Sequence, residues 1–143
     1  MAKTDDRTVA LLSIHPIYAT RLLEGSKRVE LRKTKFSCDV EYVIIYATAP
    51  VKKVVGYFEV EKVVVDSPAA IWNQYKTVAG IERKDFKAYY QTSSQAIAIE
   101  VAKMFALDQP QLLSILGEGV KAPQSFQYFS TPAVEAMADY IAS

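Results

Sequence analysis

Three charged residues of the segment GSKRVELR, residues 25–32, carry side chains that could do chemistry together. Arg32 offers a planar guanidinium for a phosphate or a base edge, and Lys27 offers a point charge or, if desolvated, a base with a depressed pKa. Glu30 could accept a hydrogen bond from an exocyclic amine or act as a general base. The segment therefore predicts a nucleotide site or a hydrolytic site, provided that the fold covers these side chains.

The alternation of side chains in segment 27–34, KRVELRKT, predicts a half-buried β-strand. Its polar residues Arg28, Glu30 and Arg32 share one face, about 6.6 Å apart, so Glu30 and Arg32 can pair and Arg28 can join them. On its own the strand favours an exposed charge ladder that keeps a sheet edge soluble, and the alternative is a cleft wall. Lys27 has the parity of the opposite, apolar face, where it is costly unless paired or facing a cleft. A contact between Lys27 and Glu30 requires a bend at the preceding turn.

Five further residues are candidate ligand contacts because they stand where predicted strands end. Ser13 and His15 close the first strand; a helix-entry or loop position is favoured for His15, with a cleft wall or an acid/base as the alternative. Ser13 has no evident partner that would make it a nucleophile. Thr48 leaves the third strand, and Lys52 and Lys53 follow it as either a solvated turn or a rim that contacts phosphate.

Aromatic residues give a weaker signal for base stacking. Trp72 shares helical spacing with Ile71 and Tyr75, which favours a place in the core over a stacking platform. Phe126 or Tyr128 could stack a base after the turn that precedes them.

The composition excludes several classes of function. With 17 basic and 16 acidic residues the net charge is +1, so the chain has no global attraction for nucleic acid. A single cysteine and a single histidine exclude an internal disulfide and a Cys/His zinc cluster, and we predict neither a metal site nor a cofactor. No run without Asp, Glu, Lys or Arg, including the apolar run at 42–51, reaches the roughly 20 apolar residues of a membrane-spanning helix. We therefore predict a cytoplasmic protein with no membrane partner.

The order of predicted elements indicates an α+β fold in one domain. Residues 1–7 are expected to form a flexible N-terminal tail, and residues 8–143 a single domain. We expect strands at 9–15, 27–34, 41–48, 52–65 and 95–107, helices at 16–24, 69–78, 82–91 and 131–143, and a loop at 108–130. Strands two to four have short connections and should be antiparallel neighbours in a curled, mainly antiparallel sheet. Gly56 inside the fourth strand suggests a bulge or a close backbone approach.

The spacing Gly25-x-Lys27-x-x-Glu30-x-Arg32 resembles the G-x-K-x-x-E-x-R signature of ASCH domains, which are relatives of the RNA-binding PUA domains. The resemblance runs from about Val9 to Phe129. It implies a PUA-like curled β-barrel with peripheral helices and a cleft lined by Lys27, Glu30 and Arg32, with Gly25 permitting the turn. The other matching segments are 44–60, the Ile71-Trp72 helix, AIAIEV at 96–101 and PQSF at 123–126.

The resemblance implies binding of RNA or a nucleotide, with a regulatory role. A first alternative is hydrolysis of RNA or of modified nucleosides, by a ribonuclease or an enzyme that resembles acetylcytidine amidohydrolases, with Lys27 and Glu30 as catalytic residues. The deacylating members resemble Gly-x-Lys-x-x-Thr, and Glu30 stands where they carry threonine, which favours binding over catalysis. A second alternative is a protein-interaction module. Near-neutral charge favours short, single-stranded RNA or a nucleotide as the partner; the oligomeric state stays open.

Overall fold

The computed structural model describes residues 8–142. Its strands are β1 (Thr8–Ile14), β2 (Val29–Arg32), β3 (Tyr42–Ala47), β4 (Lys53–Asp66), β5 (Ala96–Gln111) and β6 (Phe126–Ser130). Its helices are α1 (Pro16–Glu24), α2 (Pro68–Tyr75), α3 (Arg83–Tyr89) and α4 (Pro132–Glu135), with short 3₁₀ turns at Leu113–Leu116 and Ala138–Tyr140. The predicted tail at 1–7 lies outside the described residues, and the assignment of 8–143 to a single domain stays a prediction.

The six strands form one mixed sheet in the order β2-β5-β4-β3-β1-β6, which confirms the α+β class. β1 and β3 are parallel, because α1 and β2 lie between them in the chain and allow a crossover. All other strand pairs are antiparallel. The prediction that strands two to four are neighbours is wrong for β2, which pairs with β5 instead of β3. Segment 33–41 carries the chain away from β2, so that β3 adds to β1.

The sheet curls until side chains from its two ends meet. Arg32 on β2 donates to Ser125, just before β6, over 3.0 Å, and Phe36 packs edge-on against Phe126 at a centroid distance of 5.1 Å. β2 and β6 are the end strands of the described sheet, so the curl is observed while a closed barrel stays a prediction. Gly56 lies at the predicted irregularity of β4: an added Cβ would stand 2.7 Å from the Phe105 carbonyl oxygen.

Three apolar clusters surround this sheet. The first fills the inside of the curl and contains Phe58 and Ile99, and the second lies between the sheet and the C-terminal segment around Met137. The third packs α2 and α3 against β2 and β5, with Val29 and Leu31 among its buried members. The apolar face predicted for segment 27–34 is therefore the face covered by helices.

The C-terminal third differs most from the prediction. β5 continues to Gln111, and β6 occupies the end of the stretch predicted as loop at 108–130. β6 forms because it pairs with β1, a partner far away in sequence. The helix predicted over 131–143 is limited to Pro132–Glu135, with Pro132 in its first turn as expected.

Candidate functional site

Helix α1 and the turn after it place Lys27 at the start of the signature strand. Gly25 ends the helix in a left-handed conformation with φ of 87°, which suits a residue without a Cβ. The Lys27 backbone N–H then donates to the Arg21 carbonyl oxygen over 3.0 Å. After this turn Lys27 and Glu30 line the same cavity, while a direct contact between them stays a prediction.

Lys27 is a buried cation, with 3% of its surface exposed. Its Nζ donates to the Ala79 carbonyl oxygen over 2.7 Å and lies 5.3 Å from the centre of the Tyr18 ring, in cation–π range. Burial lowers the pKa of the Lys27 ammonium, the Glu30 charge opposes that shift, and the Arg21 charge adds to it. An ammonium has three N–H donors. Among residues 8–142 one accepting oxygen stands within hydrogen-bond distance of Nζ, which leaves donors for a ligand.

The loop after α2 holds Lys27 in place. Arg21 donates to the Gly80 carbonyl oxygen over 2.8 Å, and the Arg28 backbone N–H donates to the Val78 carbonyl oxygen over 2.8 Å. Gly80 has φ of 61°, and a Cβ at this position would overlap Cβ of Lys27. Only a glycine lets the loop approach the lysine this closely.

Glu30 and Arg32 pair, as the strand register predicts, with Arg32 Nη1 donating to Glu30 Oε2 over 3.1 Å. The pair is not an exposed ladder, because the Glu30 residue is 5% exposed. Glu30 is opposite Ile99, a member of the cluster inside the curl, so the polar face of β2 points inward. Arg28 does not join the pair. It is exposed and lies beside Glu61 and Glu100 on another surface.

Arg32 is held by several parts of the chain at once. Nη1 also donates to the Ser13 carbonyl oxygen over 3.3 Å, and Nη2 donates to the carbonyl oxygen and Oγ of Ser125 over 3.0 and 3.3 Å. The Arg32 carbonyl oxygen accepts from the Tyr90 hydroxyl over 2.8 Å. With both terminal nitrogens engaged, Arg32 fixes the Glu30 carboxylate in position and is a poorer phosphate fork than the sequence suggests.

These side chains share one cavity of about 300 Å³, which we call the signature cavity. Its polar lining consists of Ser13, His15, Tyr18, Lys27, Glu30 and Arg32, and Ile14, Leu31, Ile81 and Tyr89 complete it. The cavity thus combines one buried ammonium, one buried carboxylate and aromatic rings, a set that can orient a small polar ligand.

Ser13 and His15 line the cavity, as predicted, but both are engaged in the fold. The Ser13 hydroxyl donates to the Pro123 carbonyl oxygen over 2.7 Å, so it tethers the segment before β6. His15 is exposed and its Nδ1 accepts from the Ile17 backbone N–H over 3.4 Å, a helix-entry position. His15 therefore occupies the helix-entry position that the sequence favours, and its ring also forms part of the cavity wall.

Thr48, Lys52 and Lys53 do not line the signature cavity. Thr48 lies beside it through the backbone, because its N–H donates to the carbonyl oxygen of Ile14 over 3.0 Å. Lys52 is exposed in the turn between β3 and β4, and Lys53 is the exposed first residue of β4. The structure places these three residues at most at the rim of the site, and a role in binding stays a prediction.

Sequence reasoning missed Tyr18 and the Ala79 carbonyl, which contact Lys27, and Tyr89, which lines the same cavity. Tyr18 lies one helical turn before Leu22 and on the cavity side of α1, a position that spacing alone does not mark. The sequence also indicates Phe126 and Tyr128 as candidates for base stacking. They pack against Phe36 at centroid distances of 5.1 and 6.2 Å and do not line the cavity.

The fold and the signature cavity define an ASCH domain. The model of the ASCH domain family matches residues 12–109, well over half of the 143 residues, so the chain belongs to this family. Crystal structures of the ASCH protein from Zymomonas mobilis share the fold. The wild-type structure has a TM-score of 0.84 and 22% identity over 94% of this chain and 96% of that one.

Curated relatives match most of this chain. An ASCH domain-containing ribonuclease of Zymomonas mobilis is 29% identical over 68% of this chain and 67% of its own length. The large ribosomal subunit protein uL22 of Ureaplasma parvum is 34% identical over 82% of this chain. The ATP synthase subunit alpha of the same organism is 31% identical over 86% of this chain. The chain spans only 38% and 15% of those two proteins.

The described part of the chain has neither a metal-binding cluster nor a membrane-spanning helix. Among residues 8–142 no group of three or more His, Cys, Asp or Glu side chains is placed to hold a metal ion. No helix in the same range is long and apolar enough to cross a membrane.

Proposed function

We propose that the chain binds short single-stranded RNA, or a single nucleotide, through the signature cavity, and that this binding serves a regulatory, cytoplasmic role. The observation that carries the proposal is the buried Lys27 ammonium, which keeps donors for an anionic or carbonyl ligand group. A cation is retained at such a cost where a ligand or partner compensates it. The ribonuclease name of the Zymomonas relative supports RNA as the ligand class.

The size and charge of the cavity favour one nucleotide over a duplex. A volume of about 300 Å³ lies at the lower end of the range for ligand pockets. A net charge of +1 leaves little capacity for the many phosphate contacts of a long duplex. The Glu30 carboxylate, fixed by Arg32, would accept from an exocyclic amine, as acidic side chains do with cytosine.

Binding of short RNAs and modified nucleosides tests this proposal. We expect wild type to bind at least one member of the panel and Lys27→Ala to weaken that binding by roughly tenfold or more, as for loss of a charged hydrogen bond. Lys76→Ala, which removes an exposed lysine outside the cavity, is the matched control and should bind as wild type. Equal binding by Lys27→Ala and wild type, with no product formed, would reject the signature cavity as the ligand site, and no binding by either protein would favour a protein-interaction module.

Hydrolysis of RNA is the second candidate, favoured by the presence of Glu30 and a lysine of lowered pKa in one cavity. Glu30 would accept the proton of a 2′-hydroxyl as that oxygen attacks the adjacent phosphorus. The Lys27 ammonium would stabilise the developing negative charge and donate a proton to the 5′-oxygen as its bond to phosphorus breaks, which leaves a 2′,3′-cyclic phosphate and a free 5′-hydroxyl. Incubation with short RNAs and analysis of the ends formed tests this step. Glu30→Gln should abolish turnover while RNA binding survives, and turnover unchanged in Glu30→Gln would reject the mechanism.

A further inference from the structure

A second cavity, which we call the helical cavity, lies between α2 and α3 and encloses about 580 Å³. It is larger than the signature cavity, at about 300 Å³. Trp72 supplies a half-buried ring to its wall, and behind that ring lie Phe86 and Tyr90, each 3% exposed, with ring centroids 5.0 Å apart for Trp72 and Phe86 and 4.8 Å apart for Phe86 and Tyr90. The structure therefore gives Trp72 a place at a cavity wall as well as in the helix packing.

The charges at this cavity are all of one sign. Arg83 and Lys87, one turn apart on α3, both line it, and none of its lining residues is Asp or Glu. Asn73 and Gln91 add side-chain amides that can donate to and accept from a base edge. Aromatic faces beside lysine and arginine are the combination with which proteins bind single-stranded nucleic acid. An apolar peptide would use the rings and leave both cations without an anionic partner.

Adjacent residues at the end of α3 line the two cavities. Tyr89 lines the signature cavity, its neighbour Tyr90 lines the helical cavity, and their rings lie 4.7 Å apart. Lys33 lies over the Tyr89 ring, with Nζ 4.6 Å from its centre. A cation thus stands beside Tyr89, one of the two adjacent tyrosines that line the two cavities.

We propose that the helical cavity is a second subsite, which takes the base next to the nucleotide held in the signature cavity. Trp72 would stack on that base, Arg83 and Lys87 would contact its phosphate, and Lys33 would contact the linking phosphate. This inference rests on the proposed function, because it extends the same RNA strand. It makes a short oligonucleotide a better ligand than a single nucleotide.

The sole tryptophan of the chain makes the test specific, because its fluorescence reports on the helical cavity alone. Wild type is titrated with 5′-AMP and with tetra-adenylate RNA, and binding is followed by Trp72 fluorescence and by calorimetry. We expect the tetranucleotide to quench Trp72 and to bind roughly tenfold or more tightly than 5′-AMP, as one stacked base and its phosphate would give. The variant Arg83→Ala/Lys87→Ala should lose that advantage and bind 5′-AMP as wild type. Lys76→Ala/Lys84→Ala, which removes two exposed charges outside the cavity, is the matched control.

The outcomes separate this inference from the proposed function. If 5′-AMP binding depends on Lys27 while the tetranucleotide neither quenches Trp72 nor responds to Arg83→Ala/Lys87→Ala, the second subsite is rejected and the first stands. If only the tetranucleotide binds, and Arg83→Ala/Lys87→Ala weakens it while Lys27→Ala does not, the helical cavity binds RNA and the proposed function is rejected. Quenching of Trp72 by an apolar peptide and not by RNA would overturn the second subsite in favour of a protein partner at the helical cavity, while 5′-AMP binding by wild type and Lys27→Ala would still decide the proposed function.

Discussion

The signature cavity and the helical cavity are built on opposite principles. In the signature cavity the charged groups are buried and each has a fixed protein contact: Lys27 with Ala79, and Glu30 with Arg32. In the helical cavity the cations Arg83 and Lys87 are exposed and the walls are aromatic. The signature cavity is rigid, and burying its charges costs free energy of folding, whereas the exposed side chains of the helical cavity can adapt to a ligand. This difference suits a site that selects a ligand beside a surface that adds affinity.

The difference also separates folding from binding. The residues of the signature cavity connect α1, β2, the Val78–Gly80 loop and the segment before β6, so changes there should reduce stability. At the rim of the helical cavity the Arg83 and Lys87 side chains are exposed, so changes there should affect binding and leave stability nearly unchanged.

Gly80→Ala should cause the largest loss of stability. Its φ of 61° is strained for alanine, and the new Cβ would overlap Lys27, so we expect a loss of about 3 kcal/mol in the free energy of unfolding. Gly119→Ala is the matched control, since Gly119 has φ of 82° but nothing within 4 Å of an added Cβ. It should cost about 1 kcal/mol. Denaturant unfolding measures both, and equal losses would show that the loop does not confine Lys27.

Arg32→Met should come next, because it leaves the Glu30 carboxylate buried without its partner. We expect a loss of about 2 kcal/mol in the free energy of unfolding at neutral pH. Adding Glu30→Gln to this variant removes the unpaired charge and should restore part of the loss. If the double variant is as unstable as the sum of the two single variants, the pair is not coupled.

The sequence predicts what is local in this site. The alternation of residues 27–34, the glycine after α1 and the Glu30–Arg32 spacing all describe contacts between near neighbours, and the structure has them. The sequence does not predict the contacts that these residues make with segments distant along the chain. Lys27 meets Ala79 across 52 residues and Arg32 meets Ser125 across 93.

The fold divides in the same way. Most elements of the first two thirds lie where periodicity indicates them, whereas β6 exists only through its pairing with β1. The direction of the polar face of β2 was also beyond local reasoning. A flat sheet would expose Glu30, but the curl turns that face inward, and the curl depends on six strands together. Propensity and alternation cannot indicate which face of a strand becomes the inside.

Lys27→Met tests the electrostatics of the signature cavity through pH. Burial holds the pKa of Lys27 below its ordinary value of 10.5. Between the lowered pKa and 10.5 the unfolded chain therefore holds more protons, and this lysine adds stability as pH rises. The difference in free energy of unfolding between wild type and Lys27→Met should shift in favour of wild type as pH rises toward 10.5. Lys76→Met, at an exposed position, is the control, and the same trend in both variants would contradict the expectation.

Arg83→Ala/Lys87→Ala should have the smallest effect on folding. Both side chains are exposed on α3, so the free energy of unfolding should change by no more than about 0.5 kcal/mol. The same variant should no longer bind tetra-adenylate RNA more tightly than 5′-AMP. It should thus reduce binding with little effect on stability, whereas Gly80→Ala should mainly reduce stability. A large loss of stability in this variant would mean that Arg83 and Lys87 hold α3 in place. The charged groups of both cavities would then contribute to folding, contrary to the contrast between buried and exposed charges.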